Sequence, residues 1–188
     1  MSEGTVFNIL NRAYNSLEQT ENIIKNKLIE SPQIHADETG FYVEKFRQWM
    51  FSYSTQNHTY YDFHKKRGKE AMDAINILPN FKGVLTHDCW KTYDKYDQCS
   101  HSLCNAHFLR ELNGIEEDTD FKFPSHIKKT LLEMKNLVDV GGFISEETRA
   151  SLISHYQSQI KNGFDEELKA NPPVEVKTKK RGRKKQSY

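Results

Sequence analysis

Two aspartates in this chain each follow a short apolar run, where a buried strand delivers a side chain to the edge of a sheet. Asp37 lies in I-H-A-D-E-T-G at 34–40, and Asp88 follows V-L-T-H at 84–87. If the two strands are neighbours, the carboxylates form an oxygen-ligand site that favours Mg²⁺ or Mn²⁺. Paired metals of this kind catalyse phosphoryl transfer. The competing interpretation is that each aspartate only caps a turn or a helix start.

The elements that must position these aspartates predict a mixed α/β sheet. An amphipathic helix is expected over 5–29, closed by Pro32, and Gly40 is expected to mark the turn after the first strand. The elements expected after the helix are strands at 33–38, 46–54 and 59–64, a helix at 70–78, a strand at 83–87, a short helix at 90–96, a strand at 100–103 and a helix at 105–112. A right-handed crossover then places the strand before Asp88 parallel to the first strand and beside it.

The charge of the chain is unevenly distributed. The net formal charge is +1 over 188 residues, but seven Lys and Arg residues lie within 177–185. Such a basic tail is typical of a segment that meets a polyanion, and a solvated disordered end is the equally weighted alternative. Three cysteines without a signal peptide, and no run long enough to cross a bilayer, predict a cytoplasmic protein that makes no membrane contact.

Four segments carry a family resemblance. They are H-A-D-E-T-G at 35–40, Y-Y-D-F-H-K-K-R-G-K-E-A at 60–71, F-K-G-V-L-T-H-D-C-W-K-T-Y at 81–93 and L-C-N-A-H-F-L-R-E-L at 103–112. In order and spacing they resemble the catalytic domain of insertion-sequence sixty-six family transposases. The resemblance implies a ribonuclease H-like fold, a D-D-E site for Mg²⁺ or Mn²⁺, and cleavage and joining of DNA at transposon ends. Asp37 and Asp88 would be the first two catalytic acids and metal ligands.

The third acid of the family motif has no matching position. In the family it is a Glu in an N-N-x-A-E-R-like segment, downstream of a helical insertion and of a basic stretch that matches 180–187 here. We therefore expect a partial catalytic domain, inactive or incomplete alone. Glu111 is an internal alternative, although a surface Glu beside Arg110 is its ordinary interpretation. Glu38 is a weaker candidate, because it should point to the opposite side of the strand from Asp37.

Basic and aromatic residues near the two aspartates are expected to contact DNA. Trp90 could stack on an unpaired base, although tryptophan at such a position usually belongs to a core. The basic side chains are suited to phosphates, with a solvated charged turn as the alternative. The predicted DNA-binding residues are Lys65, Lys66, Arg67, Lys69, Trp90, His107 and Arg110, together with Lys180, Arg181, Arg183, Lys184 and Lys185 in the tail.

A zinc site is the third chemical possibility. Two thiols and two imidazoles lie close in sequence, at Cys99, His101, Cys104 and His107. Their spacing requires a sharp bend to form one tetrahedron, so we favour Cys104 as a small buried residue and His107 as part of the rim of the catalytic site.

The sequence therefore predicts four segments. They are an N-terminal helical segment at 1–32, a ribonuclease H-like core at 33–120, a helical insertion at 121–170 and a basic tail at 171–188. The predicted function is that of a partial transposase domain, acting in the cytoplasm or on the nucleoid with DNA and other transposase subunits as partners. The alternatives are a non-catalytic DNA-binding or transposase-interacting remnant and a zinc-stabilised module.

Overall fold

The computed structural model describes residues 1–141 and 144–172. The chain divides into two compact units, Met1–Phe108 and Leu109–Tyr188. The basic residues predicted to bind DNA at 180–185, and most of the predicted tail, lie outside the described residues. The predicted four-segment division is a finer one than these two units and stays a prediction.

Helices and strands alternate through the first unit and helices make up the second. The elements are α1 (Glu3–Ile29), β1 (Gln33–Val43), β2 (Phe46–Ser54), β3 (Thr59–His64), α2 (Lys69–Ile75), β4 (Val84–His87), β5 (Ser100–Leu103), α3 (Asn105–Asp118), α4 (Phe123–Gly141) and α5 (Glu146–Ala170). Single 3₁₀ turns occur at Leu78–Asn80 and Tyr93–Lys95. The predicted helix at 90–96 is thus only a turn, and the helix predicted to end at 112 continues to Asp118.

The five strands form one sheet in the order β3-β2-β1-β4-β5. Strands β1, β2 and β3 are antiparallel neighbours, whereas β4 pairs parallel with β1 and β5 parallel with β4. This arrangement confirms the predicted ribonuclease H-like mixed sheet. The neighbouring placement of β1 and β4 is the feature on which the site depends.

One face of the sheet carries the hydrophobic core. Along β1, the buried side chains of Ile34 and Ala36 alternate with exposed residues, because successive side chains in a strand point to opposite faces. Phe51 and Leu85 from the neighbouring strands are fully buried on this side. Asp37 is exposed, as the period of two requires for a residue that follows Ala36.

Gly40 does not form the turn that the sequence predicted. It lies inside β1 opposite Trp49, and the chain reverses at Glu44 and Lys45, whose φ angles are 49° and 71°. A Cβ atom at Gly40 would lie 2.9 Å from the Arg47 side chain, whose guanidinium covers the Trp49 ring. Pairing with β2 continues past Gly40 to Val43, opposite Phe46, so β1 is five residues longer than expected.

A second glycine sets the distance between β1 and β4. A Cβ atom at Gly83 would lie 2.5 Å from the carbonyl oxygen of Pro32, immediately before β1. The neighbouring Val84 N–H donates to that oxygen at 2.8 Å. The missing side chain lets the parallel pairing of β1 and β4 begin here.

Two long helices pack together in the second unit. The carboxylate of Glu166 on α5 accepts hydrogen bonds from the backbone N–H groups of Lys122 and Phe123 at the start of α4. The Thr130 hydroxyl on α4 is buried and donates to Gln159 on α5 at 2.8 Å. None of the helices in the described residues is both long and apolar enough to cross a membrane.

Candidate functional site

The two strands that lead to Asp37 and Asp88, β1 and β4, are parallel neighbours. The parallel register pairs Gln33 with Val84 and His35 with Thr86. Continued by two residues, the same register places Asp37 opposite Asp88, directly beyond the end of β4. Neighbouring strands lie about 4.8 Å apart, so this register brings the two residues close together.

Both carboxylates are oriented by backbone N–H groups. Asp37 Oδ1 accepts from the Glu38 N–H and Asp88 Oδ1 from the Trp90 N–H, each at 2.9 Å. A carboxylate has more acceptor positions than one N–H group occupies, so both side chains retain the capacity to ligate a cation. Two oxygen donors of this kind fit a hard cation such as Mg²⁺, which usually keeps several waters.

His107 lies beside this carboxylate pair. It is in the first turn of α3, and its Nε2 atom is 4.0 Å from Asp37 Oδ2. Its Nδ1 atom is buried and has no hydrogen-bond partner among the described residues. The structure thus places His107 at the edge of the site, where a protonated imidazole would interact favourably with the carboxylate.

A buried polar cluster lies on the other side of β1. The Glu38 side chain is only 1% exposed, and its Oε1 lies 2.5 Å from Arg67 Nη2. Its Oε2 accepts a 2.5 Å hydrogen bond from the Tyr93 hydroxyl. The Arg67 guanidinium also lies over the rings of Trp49 and Trp90, at 4.8 Å and 4.0 Å from their centroids. We call Glu38, Arg67 and Tyr93 the Glu38 cluster.

The Glu38 cluster supports the part of the sheet that carries Asp37 and Asp88. Burial raises the pKa of Glu38 above its ordinary value, while the hydrogen bonds from Tyr93 and Arg67 act in the opposite direction. The cluster joins β1, the segment before α2 and the turn after Asp88, so it holds the Asp88 loop against the strand of Asp37. The expected direction of Glu38, away from Asp37, agrees with this position, but no local pattern indicated the ion pair with Arg67.

The predicted DNA-binding residues of the first unit occupy different environments. Lys65 is exposed, and Lys66 forms an exposed ion pair with Glu70 at 2.8 Å. Lys69 Nζ lies 5.4 Å from the Tyr96 ring centroid. Arg67 and Trp90 stack on each other next to the core, which favours a structural role for both. Contact with DNA stays a prediction for all of these residues.

Two other predicted residues belong to the second unit. Arg110 and Glu111 are exposed residues of α3, beyond the division after Phe108. The role of Glu111 as third acid and that of Arg110 as a DNA contact stay predictions.

The four residues considered for zinc do not gather around one point. Cys99 is buried and donates from Sγ to the Tyr96 carbonyl oxygen at 3.2 Å, while His107 faces Asp37. Burial raises the pKa of the Cys99 thiol, which disfavours the thiolate form that binds metals. The ligand group found in the described part of the chain is instead His87, Asp94 and His101. Parallel pairing of β4 and β5 creates this group, which local spacing could not reveal.

Comparisons with known proteins match this chain to a protein family and to several solved structures. No curated protein is significantly similar. The HTLV-2 integrase catalytic core domain in complex with magnesium, in its trimeric form, has 15% identity and a TM-score of 0.31, with 68% of this chain and 81% of that chain covered. The simian T-cell lymphotropic virus intasome in complex with PP2A regulatory subunit B56 gamma has 14% identity and a TM-score of 0.32. The alignment covers 66% of this chain and 48% of that chain. The model of the family described as Transposase IS66 family matches residues 1–188.

Proposed function

Because this chain belongs to the IS66 family of transposases, we propose that its carboxylate pair takes part in metal-dependent cleavage and strand transfer of DNA. The observation that supports this is the parallel register of β1 and β4, which places Asp37 level with Asp88 when it is continued by two residues. Two carboxylates at corresponding heights form the anionic, oxygen-rich site that phosphoryl transfer requires.

Asp37 and Asp88 would hold Mg²⁺ or Mn²⁺. When bound, such an ion supplies charge stabilisation for the phosphate and activates the attacking oxygen. The residues of this chain provide orientation: the backbone N–H groups of Glu38 and Trp90 fix the two carboxylates, and the Glu38 cluster fixes the loop of Asp88. His107 is placed to contact a phosphate bound beside Asp37.

The proposed substrate is DNA at transposon ends. Lys65, Lys66 and Lys69 lie next to the Glu38 cluster in sequence and would contact the phosphate backbone without reading bases. Such contacts bind any DNA, so recognition of specific ends would require further residues. A protein that acts on transposon DNA would work in the cytoplasm or on the nucleoid.

The third acidic ligand would come from outside the first unit. Within Met1–Phe108, no third carboxylate joins Asp37 and Asp88 in a ligand group. Glu111 in the second unit is the candidate from this sequence, and a carboxylate of another transposase subunit is the alternative. If the ligand comes from another subunit, the chain alone would bind metal weakly and transfer strands poorly.

Metal binding and DNA cleavage by the purified chain test this proposal. Binding of Mn²⁺, followed by electron paramagnetic resonance, should be lost in Asp37→Asn and Asp88→Asn and kept in Asp97→Asn, which changes an exposed aspartate outside the pair. Cleavage of DNA that carries the ends of the element should depend on Mg²⁺ and on both aspartates. Glu111→Gln distinguishes an internal third ligand from one supplied by another subunit.

A non-catalytic DNA-binding module is the competing outcome. In that case DNA binding would be independent of Mg²⁺ and unchanged in Asp88→Asn, and Mn²⁺ binding would not require the pair. That result would overturn the catalytic proposal without affecting the family assignment.

A further inference from the structure

Three potential metal ligands gather between β4, β5 and the turn that follows β4. His87 is the last residue of β4, His101 lies on β5 and Asp94 lies in the turn Tyr93–Lys95, with one ligand atom from each within 4.8 Å of the others. The register pairs Leu85 with His101, so His87, two residues further on, projects from the same face as His101. We call these three residues the His–Asp group.

The protons of the two imidazoles can be assigned from their outer neighbours. His87 Nδ1 lies 2.5 Å from the carbonyl oxygen of Asp88, and His101 Nε2 lies 3.1 Å from that of Tyr96. A carbonyl oxygen only accepts hydrogen bonds, so each outer nitrogen is placed to donate its N–H to one. A neutral imidazole has one N–H group, and in this arrangement each histidine uses it on a backbone carbonyl.

The inner nitrogens are consequently left with lone pairs that face each other. His87 Nε2 and His101 Nδ1 are 2.9 Å apart. Two lone pairs at this distance repel unless a positive charge lies between them. That charge is either an additional proton shared by the two rings or a metal ion bound by both.

We propose that the His–Asp group is a binding site for a transition-metal ion of the zinc type, separate from the magnesium site of the carboxylate pair. Neutral imidazole nitrogens are preferred ligands of zinc and poor ligands of magnesium. Histidine ligands of metals usually donate their second N–H to a carbonyl or carboxylate, as both rings do here. Asp94 supplies the third ligand and the negative charge, and water would complete the coordination.

The geometry needs only a small adjustment. Zinc-to-nitrogen distances of about 2.0–2.1 Å at a tetrahedral angle separate two ligand nitrogens by about 3.3 Å. The present separation must therefore increase by a few tenths of an ångström. His101 and Asp94 are exposed, so the movement would come from them, whereas His87 is buried and stacked on Tyr93, with ring centroids 4.7 Å apart.

A metal bound here would connect the end of β4, the following turn and β5. The same turn carries Tyr93, which donates to Glu38 in the Glu38 cluster. The metal would thus stabilise the segment that contains Asp88, without contacting the substrate itself.

Cobalt binding by the full chain tests the proposal. The protein is freed of metal with a chelator and titrated with Co²⁺ as a visible probe in excess Mg²⁺, which occupies the carboxylate pair. We expect one Co²⁺ per chain with the absorption of a tetrahedral or five-coordinate site, displaced by Zn²⁺. The thermal unfolding midpoint should rise with Zn²⁺ and not with additional Mg²⁺.

Substitutions of the two exposed ligands make the test specific. His101→Gln should weaken Co²⁺ binding by more than about tenfold, and Asp94→Asn should weaken it measurably. Asp37→Asn, which damages only the carboxylate pair, and His35→Gln, which changes an exposed histidine of β1, should bind Co²⁺ like the unchanged chain. Absence of the cobalt spectrum, or equal binding by His101→Gln, would overturn the metal site and leave the shared proton as the occupant.

Discussion

Arg67 Nη2 lies 2.5 Å from Glu38 Oε1, an ion pair in which the carboxylate is almost completely removed from solvent. Loss of one partner from such a pair leaves an uncompensated buried charge. We therefore expect Arg67→Ala and Glu38→Ala each to lower the free energy of unfolding by about 2–4 kcal/mol, measured by urea denaturation. Glu70→Ala removes an exposed ion pair from the neighbouring segment and should leave the denaturation midpoint unchanged. If Glu38→Ala and Glu70→Ala lowered the free energy of unfolding equally, burial of the Glu38 ion pair would not be the cause of its effect.

Removal of a single hydroxyl group should have opposite effects at two buried tyrosines. The Tyr93 hydroxyl donates to Glu38, whereas the Tyr53 hydroxyl has no hydrogen-bond partner among the described residues. Tyr93→Phe should lower the free energy of unfolding by about 2 kcal/mol, and Tyr53→Phe should raise it by up to about 1 kcal/mol. Chemical denaturation of the two variants measures the difference, and a loss of stability in both would show that Tyr53 has a partner in solution.

Four tyrosines with raised pKa values should make the folded protein less stable at high pH. Burial is the main cause that raises the pKa of Tyr53, Tyr60, Tyr93 and Tyr96 above the ordinary value of 10.0. The folded state therefore keeps these protons at a pH where the unfolded state loses them. Their contribution to the free energy of unfolding is fully present below pH 10 and decreases as the pH rises above it. Urea denaturation at increasing pH should show a falling free energy of unfolding above about pH 10, and a flat profile would refute this.

The helical unit offers a matched pair of glycine substitutions. At Gly163 on α5, a Cβ atom would lie 2.8 Å from Phe123 Cγ, whereas at Gly114 on α3 nothing lies within 4 Å. Alanine favours a helix over glycine by up to about 1 kcal/mol. Gly114→Ala should therefore stabilise the protein, and Gly163→Ala should destabilise it by about 1–2 kcal/mol through overpacking. Thermal unfolding that changes in the same direction for both would show that the Phe123 ring moves aside.

DNA binding should depend on salt through the lysines before α2. If Lys65 contacts a phosphate, Lys65→Ala should reduce the slope of log affinity against log salt concentration by about 0.9. The effect should be the same for any DNA sequence. Lys129→Ala, on α4 in the second unit, serves as a control because Lys129 is exposed and outside the proposed contact surface. An unchanged slope in Lys65→Ala would remove that residue from the interface.

Much of the fold could be predicted because local patterns determined it. The bounds of β2, β3 and β5 agree with expectation, and for β2 and β3 the reason is that aromatic runs and a polar turn delimit them. The prediction of a turn at Gly40 was wrong because the pairing of β1 with β2 continues past it, and the chain reverses at Glu44 and Lys45. Sequence reasoning has no access to contacts that depend on a partner strand.

The site shows the same division between local and distant information. The parallel pairing of β1 and β4, the strands that lead to Asp37 and Asp88, could be predicted from strand order and the handedness of crossovers. The Glu38 cluster and the His–Asp group could not, because their members come from segments up to 55 residues apart and meet only in the folded sheet. The sole local signal for Glu38 was its alternation with Asp37 along β1.

The long connection between β1 and β4 has a consequence for the order of folding. The pairing of β1 with β2 closes across the turn at Glu44 and Lys45, whereas the pairing of Gln33 with Val84 requires closure of a loop of about fifty residues. Contacts of such high sequence separation form slowly. We therefore expect the hairpin that carries Asp37 to form early and the carboxylate pair to assemble only when β4 docks. Nascent chains would then hold a formed hairpin before they have any capacity to bind metal.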